Sequence, residues 1–204
     1  MRHLVFWTLL IASVSIYGDE GPNAQTLSRL VGIIESIDAF SAELEQTTLE
    51  PDGFLLDTQT GNMHFASPNL LRWETEDPFV QTLVADGSKI YLHDPDLNQV
   101  TIRSWSSDPT INPVSVFMAP EQLGERFEIT EEKNTFYLNP LSVDATFQQL
   151  RLAFRRGLPK ILEIDDNLGQ TTRIEFSKVR DLSELDSSLF QFDIPEGAEI
   201  FNDG

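Results

Sequence analysis

Cysteine is missing from all 204 residues. Its absence excludes disulfides, a thiolate nucleophile and attachment of a lipid through sulfur, so the fold must be held by its core alone. Histidine is nearly missing too, with three in the chain. Basic residues are few, with Lys and Arg totalling 14 against 33 Asp and Glu, a net charge of −19. Such a chain is repelled as a whole by nucleic-acid phosphates and by anionic lipid headgroups, so it would not rest on a membrane surface by electrostatics. Apolar runs approaching the ~20 residues of a membrane span are likewise lacking.

The longest apolar run is Leu4 to Ala12, preceded by Arg2 and His3 and followed by Ser13, Ser15, Gly18 and the acidic pair Asp19-Glu20. A short basic region, an apolar stretch and small residues before a polar start describe a secretory signal peptide over residues 1–18. Removal of these residues, whose one charge is Arg2, leaves a still more acidic domain at 19–204. That length suits one domain with a sizeable core.

Leu27, Leu30, Val31, Ile34 and Ile37 recur at helical spacing and predict an opening amphipathic helix. After Asp38 the period changes to two, with Phe40, Ala42 and Leu44 opposed to Ser41, Glu43 and Glu45. Short strands are then predicted over 62–66, 70–75, 79–85, 90–93 and 99–103, with a tight Asp86-Gly87 turn in which both residues take positive φ. Residues 104–113 read as a loop, and Pro113 starts a short apolar helix carrying Val116, Phe117 and Met118. Further strands are predicted over 127–130, 135–139, 149–154, 159–165, 171–178 and 190–194. The expected architecture is a mainly β open, incomplete antiparallel barrel of about ten to eleven strands. About three α-helices would cover its apolar face as a lid.

A search for chemistry finds little. His64 and His93 are scattered, and nucleophile elbows, zinc-binding helices and phosphate loops do not occur. Asp94, Asp96 and Asn98 imitate the first ligands of a calcium loop, but Gln99 and Trp105 occupy positions that need Gly and Glu. No catalytic residue, metal ligand or cofactor site is assigned, and the chain reads as a non-enzyme. What remains is a large aromatic supply, including fourteen Phe. Those rings either fill a core or line a cavity, and patterning alone does not separate the two.

In order along the chain come Phe40-Ser41-Ala42-Glu43-Leu44-Glu45-Gln46, Pro68-Asn69-Leu70-Leu71-Arg72-Trp73, Ala85-Asp86-Gly87-Ser88-Lys89-Ile90-Tyr91 and Asp94-Pro95-Asp96-Leu97-Asn98-Gln99-Val100. Asn112-Pro113, Asp166-Asn167-Leu168-Gly169-Gln170 and Phe190-Gln191-Phe192-Asp193-Ile194-Pro195-Glu196-Gly197 follow. Taken together, these segments resemble the outer-membrane lipoprotein carrier family, LolA, over nearly the whole exported chain. The resemblance implies a periplasmic, monomeric chaperone that shields the acyl chains of lipoproteins. It implies loading by an ATP-driven inner-membrane exporter like LolCDE and delivery to an outer-membrane receptor like LolB. That receptor is itself a lipoprotein, so a chain without cysteine matches the carrier. The alternative is a periplasmic carrier or sensor of another lipid or lipidated ligand on the same fold.

On this reading Phe40, Leu44, Met63, Phe65, Leu71, Trp73, Leu83, Ile90 and Leu92 line the acyl cavity, and Leu30, Ile34, Val116, Phe117 and Met118 belong to the lid. Family members often carry Arg immediately before the proline matching Pro68, where it latches the lid. Here that residue is Ser67, and Arg72 becomes the candidate substitute. Leu71→Glu and Phe117→Glu are expected to impair loading with little change in secondary structure.

Overall fold

The computed structural model describes residues 22–104 and 113–202. The predicted signal peptide and most of the predicted 104–113 loop lie outside these residues. Helix α1 (Pro22–Glu35) comes first. The strands β1 (Ala39–Leu49), β2 (Leu55–Ala66), β3 (Leu70–Asp77), β4 (Gln81–Asp86), β5 (Lys89–Asp94) and β6 (Gln99–Ser104) then form one antiparallel meander. A 3-10 segment at Pro113–Phe117, another at Pro120–Gln122 and a single helical turn, α2 (Leu123–Arg126), follow. The second meander is β7 (Phe127–Glu132), β8 (Thr135–Pro140), β9 (Phe147–Arg155), β10 (Leu158–Asp166) and β11 (Thr171–Leu182). A last 3-10 segment at Ser187–Phe190 leads to β12 (Glu199–Asn202).

All twelve strands belong to one sheet, in the order β12-β6-β5-β4-β3-β2-β1-β11-β10-β9-β8-β7. The long β1 lies between the meanders, pairing with β2 on one side and β11 on the other. The sheet is open, as expected, but has twelve strands where ten to eleven were predicted. Among the described residues there are two α-helices and three 3-10 segments, where about three α-helices were predicted. Val116 and Phe117 sit on a 3-10 segment, too short for an α-helix between Pro113 and Pro120.

The predicted strand at 190–194 is absent. Asp186 caps a 3-10 turn there, its carboxylate accepting the Ser188 N–H at 2.9 Å. The alternating aromatics Phe190 and Phe192 are instead laid against the outer face of β3–β5. Phe190 is buried, and Phe192 stacks on Tyr91 with ring centroids 5.4 Å apart. β12 then adds to β6 in parallel, a pairing that local sequence does not encode.

Alternation places the core. Phe40, Phe65, Leu71, Ala85 and Ile90 stand in one row across β1 to β5. Ala42, Met63, Trp73, Leu83 and Leu92 form the next row. On the other side of β1, Gln46 leads through Ile174, Leu162 and Leu152 to Phe136. These residues share the inner, concave face. The outer face carries charge, with Arg151, Glu163 and Arg173 as cross-strand neighbours joined by contacts of 2.5 and 2.8 Å.

Local devices bend the sheet. Between Thr60 and Gly61 the β2–β3 register slips, and at Gly61 a Cβ would stand 1.9 Å from the Glu74 carbonyl oxygen. Only glycine permits that approach. The β4–β5 turn differs from the prediction in detail. Gly87 alone takes positive φ, at 93°, while the Asp86 carboxylate accepts the N–H groups of Ser88 and Lys89 at 2.8 Å each. Asp86 caps the turn with its side chain instead of bending its own backbone.

Candidate functional site: a lidded apolar face

Helix α1 and the Pro113–Phe117 segment lie over the concave face. Leu30, Ile34, Val116, Phe117 and Met118 are all buried, with exposures from 0 to 7%. Their partners are aromatic. Phe117 meets Phe154 and Phe176 edge-on at 6.4 and 6.5 Å, and Phe40 sits 5.4 Å from Phe65 and 6.4 Å from Phe176. All five residues assigned to the lid by sequence are thus buried in the core cluster. Leu123 of α2 is also in this cluster.

The predicted lining residues share one face but not one environment. Phe40, Leu44, Met63, Phe65 and Leu71 are packed beneath the lid, each no more than 4% exposed. Ile90 is half-buried against the same cluster. Trp73, Leu83 and Leu92 instead open onto a cavity of about 420 Å³, inside the range of roughly 300–1,000 Å³ common for ligand pockets. Val114, Ile164 and Ile174 complete its apolar wall, and Gln46, Gln59, Thr75, Gln81 and Thr172 add polar groups. Among the described residues no charged side chain lines it. Among the described residues, part of the concave face is thus packed beneath α1 and the Pro113–Phe117 segment, and part borders the cavity.

Sequence reasoning missed Val114, Ile164 and Ile174. The alternation of Ile161–Ile164 and Thr172–Phe176 was legible, but not that β11 returns to pair with β1 and brings both strands to the Trp73 side. Leu92 is the most exposed of the predicted lining, at 37%. Near it, Phe79 and Leu97 are exposed beside Asp94 and Asp96. The Asp94 carboxyl is held below its usual range by the Leu97 N–H and the Gln81 amide.

The latch assigned to Arg72 is corrected. Odd-numbered residues of β3 face inward, so Arg72 projects from the outer face. There it donates to the Leu189 carbonyl at 3.3 Å and pairs with Glu74 at 2.7 Å. It fastens the C-terminal segment, not the lid. Ser67 lies in a crevice beside Ile34, Phe117 and Met118, but its hydroxyl makes no bond to the lid among the described residues. The lid is tied from the opposite side. Arg29 of α1 pairs with Glu131 of β7, donates to Asn134 at 3.3 Å, and stands over the Phe136 ring. Nothing in residues 22–35 alone points to partners so distant in sequence.

An open twelve-stranded sheet with an apolar inner face and a small helical cover defines the fold class. Comparison with known proteins makes the class specific. The family model "Outer membrane lipoprotein carrier protein LolA" matches residues 35–193, and the chain belongs to that family. An outer-membrane lipoprotein carrier protein of Chromohalobacter salexigens is 34% identical, with 86% of each chain covered. One from Azotobacter vinelandii is 33% identical over 98% of this chain and 99% of its own. A solved LolA superfamily protein from Nitrosomonas europaea, 14% identical, covers 82% of this chain and 98% of its own with a TM-score of 0.51. That likeness concerns the fold alone.

Proposed function

We propose that this protein carries lipid-modified proteins across the periplasm, from the inner membrane to the outer. It is a carrier and not an enzyme. The observation that supports this reading best is the continuous apolar inner face, part covered by α1 and the Pro113–Phe117 segment and part bordering the 420 Å³ cavity. Residues 1–18 serve as the export signal, and residues 19–204 form a single monomeric carrier domain.

The energetics set the task. Each methylene transferred to water costs about 0.8 kcal/mol, so an acyl chain of roughly sixteen carbons costs about 12 kcal/mol. Trp73, Leu83, Leu92, Val114, Ile164 and Ile174 receive the first part of such a chain. Withdrawal of Val116, Phe117 and Met118 uncovers Phe40, Leu44, Met63, Phe65, Leu71 and Ile90 for the rest. Methionine suits a cover that must repack on contents of varying shape. Because Val116, Phe117 and Met118 already bury this surface, loading exchanges one apolar contact for another. Binding is then strong enough for transit and weak enough for release. Loading draws on an ATP-driven inner-membrane exporter resembling LolCDE, and unloading on an outer-membrane receptor resembling LolB.

Leu71 and Phe117 are poor probes, because each is 3% exposed and a buried glutamate there would unfold the core. Leu83→Glu and Leu92→Glu place the charge on the vacant cavity wall instead. Purified protein added to inner-membrane spheroplasts should draw labelled lipoproteins into the supernatant when ATP is present. Both variants should fold and release less. A wild-type supernatant free of lipoprotein would overturn the carrier reading.

A further inference from the structure

The second meander parts from the first along one line. β10 and β11 pair only from Ile161↔Glu175 to Asp165↔Thr171. Beyond that point β11 stays with β1 as far as Leu182, while β10 stays with β9 back to Leu158. Between the diverging strands lies a cleft of about 620 Å³ that shares no residue with the 420 Å³ cavity.

Its chemistry is unlike the rest of the molecule. In a chain of net charge −19, the cleft is lined by Arg155, Arg156, Lys160 and Lys178 against the lone carboxylate of Asp181. Lys178 is paired with Glu43 at 2.8 Å. Arg155, Arg156 and Lys160 have no carboxylate partner among the described residues. The β9–β10 turn presents them, with Arg156 and Gly157 at φ 56° and 80° as a two-residue hairpin requires. The inner wall is apolar, with Phe176 and Val179, and Phe176 touches the lid residue Phe117. A cationic mouth thus leads inward to an aromatic floor.

We propose that this cleft binds an anionic amphiphile, its phosphate or carboxylate head among Arg155, Arg156 and Lys160 and its alkyl tail against Phe176 and Val179. Charge-assisted hydrogen bonds from paired guanidinium and ammonium groups suit such a head, and the floor removes the first methylenes from water. An inserted acidic peptide strand is the competing occupant, and the strand edges disfavour it. Pro159 offers no N–H to a ladder. On the facing strand Lys178 takes φ 47° where the β1–β11 register slips, which breaks the regular alternation of donors and acceptors. The inference does not depend on the carrier reading, since the two cavities are separate.

The test is an amide-shift titration of the isotope-labelled protein with dodecyl phosphate below its micelle-forming concentration. Parallel arms use dodecyl maltoside, inorganic phosphate and a glutamate-rich peptide. Dodecyl phosphate should shift amides at 155–158, 160 and 176–181. Its affinity should fall about tenfold or more in the Arg155→Glu/Lys160→Glu double variant, and should also fall with added salt. Both substituted side chains are exposed, so the fold is retained. Equal binding of the maltoside, equal binding of inorganic phosphate alone, or indifference to charge reversal would each overturn the proposal. So would shifts confined to Trp73, Leu83 and Leu92. Tighter binding of the acidic peptide at the same amides would assign the cleft to a strand partner instead.

Discussion

The guanidinium of Arg29 stands 5.6 Å from the centroid of the Phe136 ring while pairing with Glu131. One exposed cation on α1 thereby ties the lid helix to the outer hairpin of the sheet. A cation over an aromatic face contributes about 0.5–1 kcal/mol at an exposed site, and an exposed ion pair a similar amount or less. Arg29→Ala should lower global stability by no more than about 2 kcal/mol. It should raise hydrogen exchange more strongly in α1 and β7 than in β2 and β3. Uniform exchange throughout the molecule would show that Arg29 does not fasten the lid.

Gly61 makes the bend of the sheet conditional on a missing side chain. A methyl group there meets the Glu74 carbonyl, which belongs to the backbone and cannot rotate away. Gly61→Ala should cost about 1–3 kcal/mol or more, as overpacking does. Thermal unfolding reads this directly, and an unchanged midpoint would show that β2 and β3 separate easily.

Asp86 links stability to pH. Partial burial raises the pKa of its carboxyl, but hydrogen bonds from the Lys89 and Ser88 N–H groups and from the Ser88 hydroxyl outweigh this and hold it below 3.8. A group with a depressed folded pKa contributes stability above its unfolded value and loses it as pH falls through the folded value. Asp86→Asn should therefore be less stable than wild type at neutral pH, by about 1 kcal/mol. Denaturant titrations repeated below pH 3.8 should show the gap closing. A gap that widens on acidification would contradict this account.

Phe192 anchors the C-terminal segment through its stack on Tyr91 and its contact with His93 at 5.8 Å. Phe192→Ala should remove about 0.5–1.5 kcal/mol of aromatic interaction. Protease cleavage after residue 182 should quicken while the α1 lid stays protected. Equal acceleration at both places would mean that the segment and the lid open together.

Much of this fold was legible because one physical variable, alternation, dominates an antiparallel meander. Eleven of the twelve strands fall where period-two patterning put them, and the register then carries Phe40, Met63, Trp73 and Leu83 to one face. Alternation misled at Phe190 and Phe192, where a capped turn and a docking surface produce the same spacing as a strand. It was silent on β12, whose start is flanked by Asn98 donating to the Gly197 carbonyl at 2.8 Å and accepting from the Glu199 N–H at 2.9 Å. The candidate site was half legible. Hydrophobicity identified the face, but only three-dimensional packing shows that Phe65 is covered and Leu83 is not. Arg72 and Arg29 make the same point about charge, since latching depends on which partner is near and not on which residue is basic.

The short parallel β12 also matters for how copies of the protein behave together. An open sheet has a hazard of its own, because a bare strand flank would template growth by strand addition between copies. At one flank β12 seals β6 with four residues. At the other, β7 presents Glu128 and Glu132 to solvent, so that approaching copies meet repulsion. The two ends of the sheet thus guard, by different means, against the same hazard.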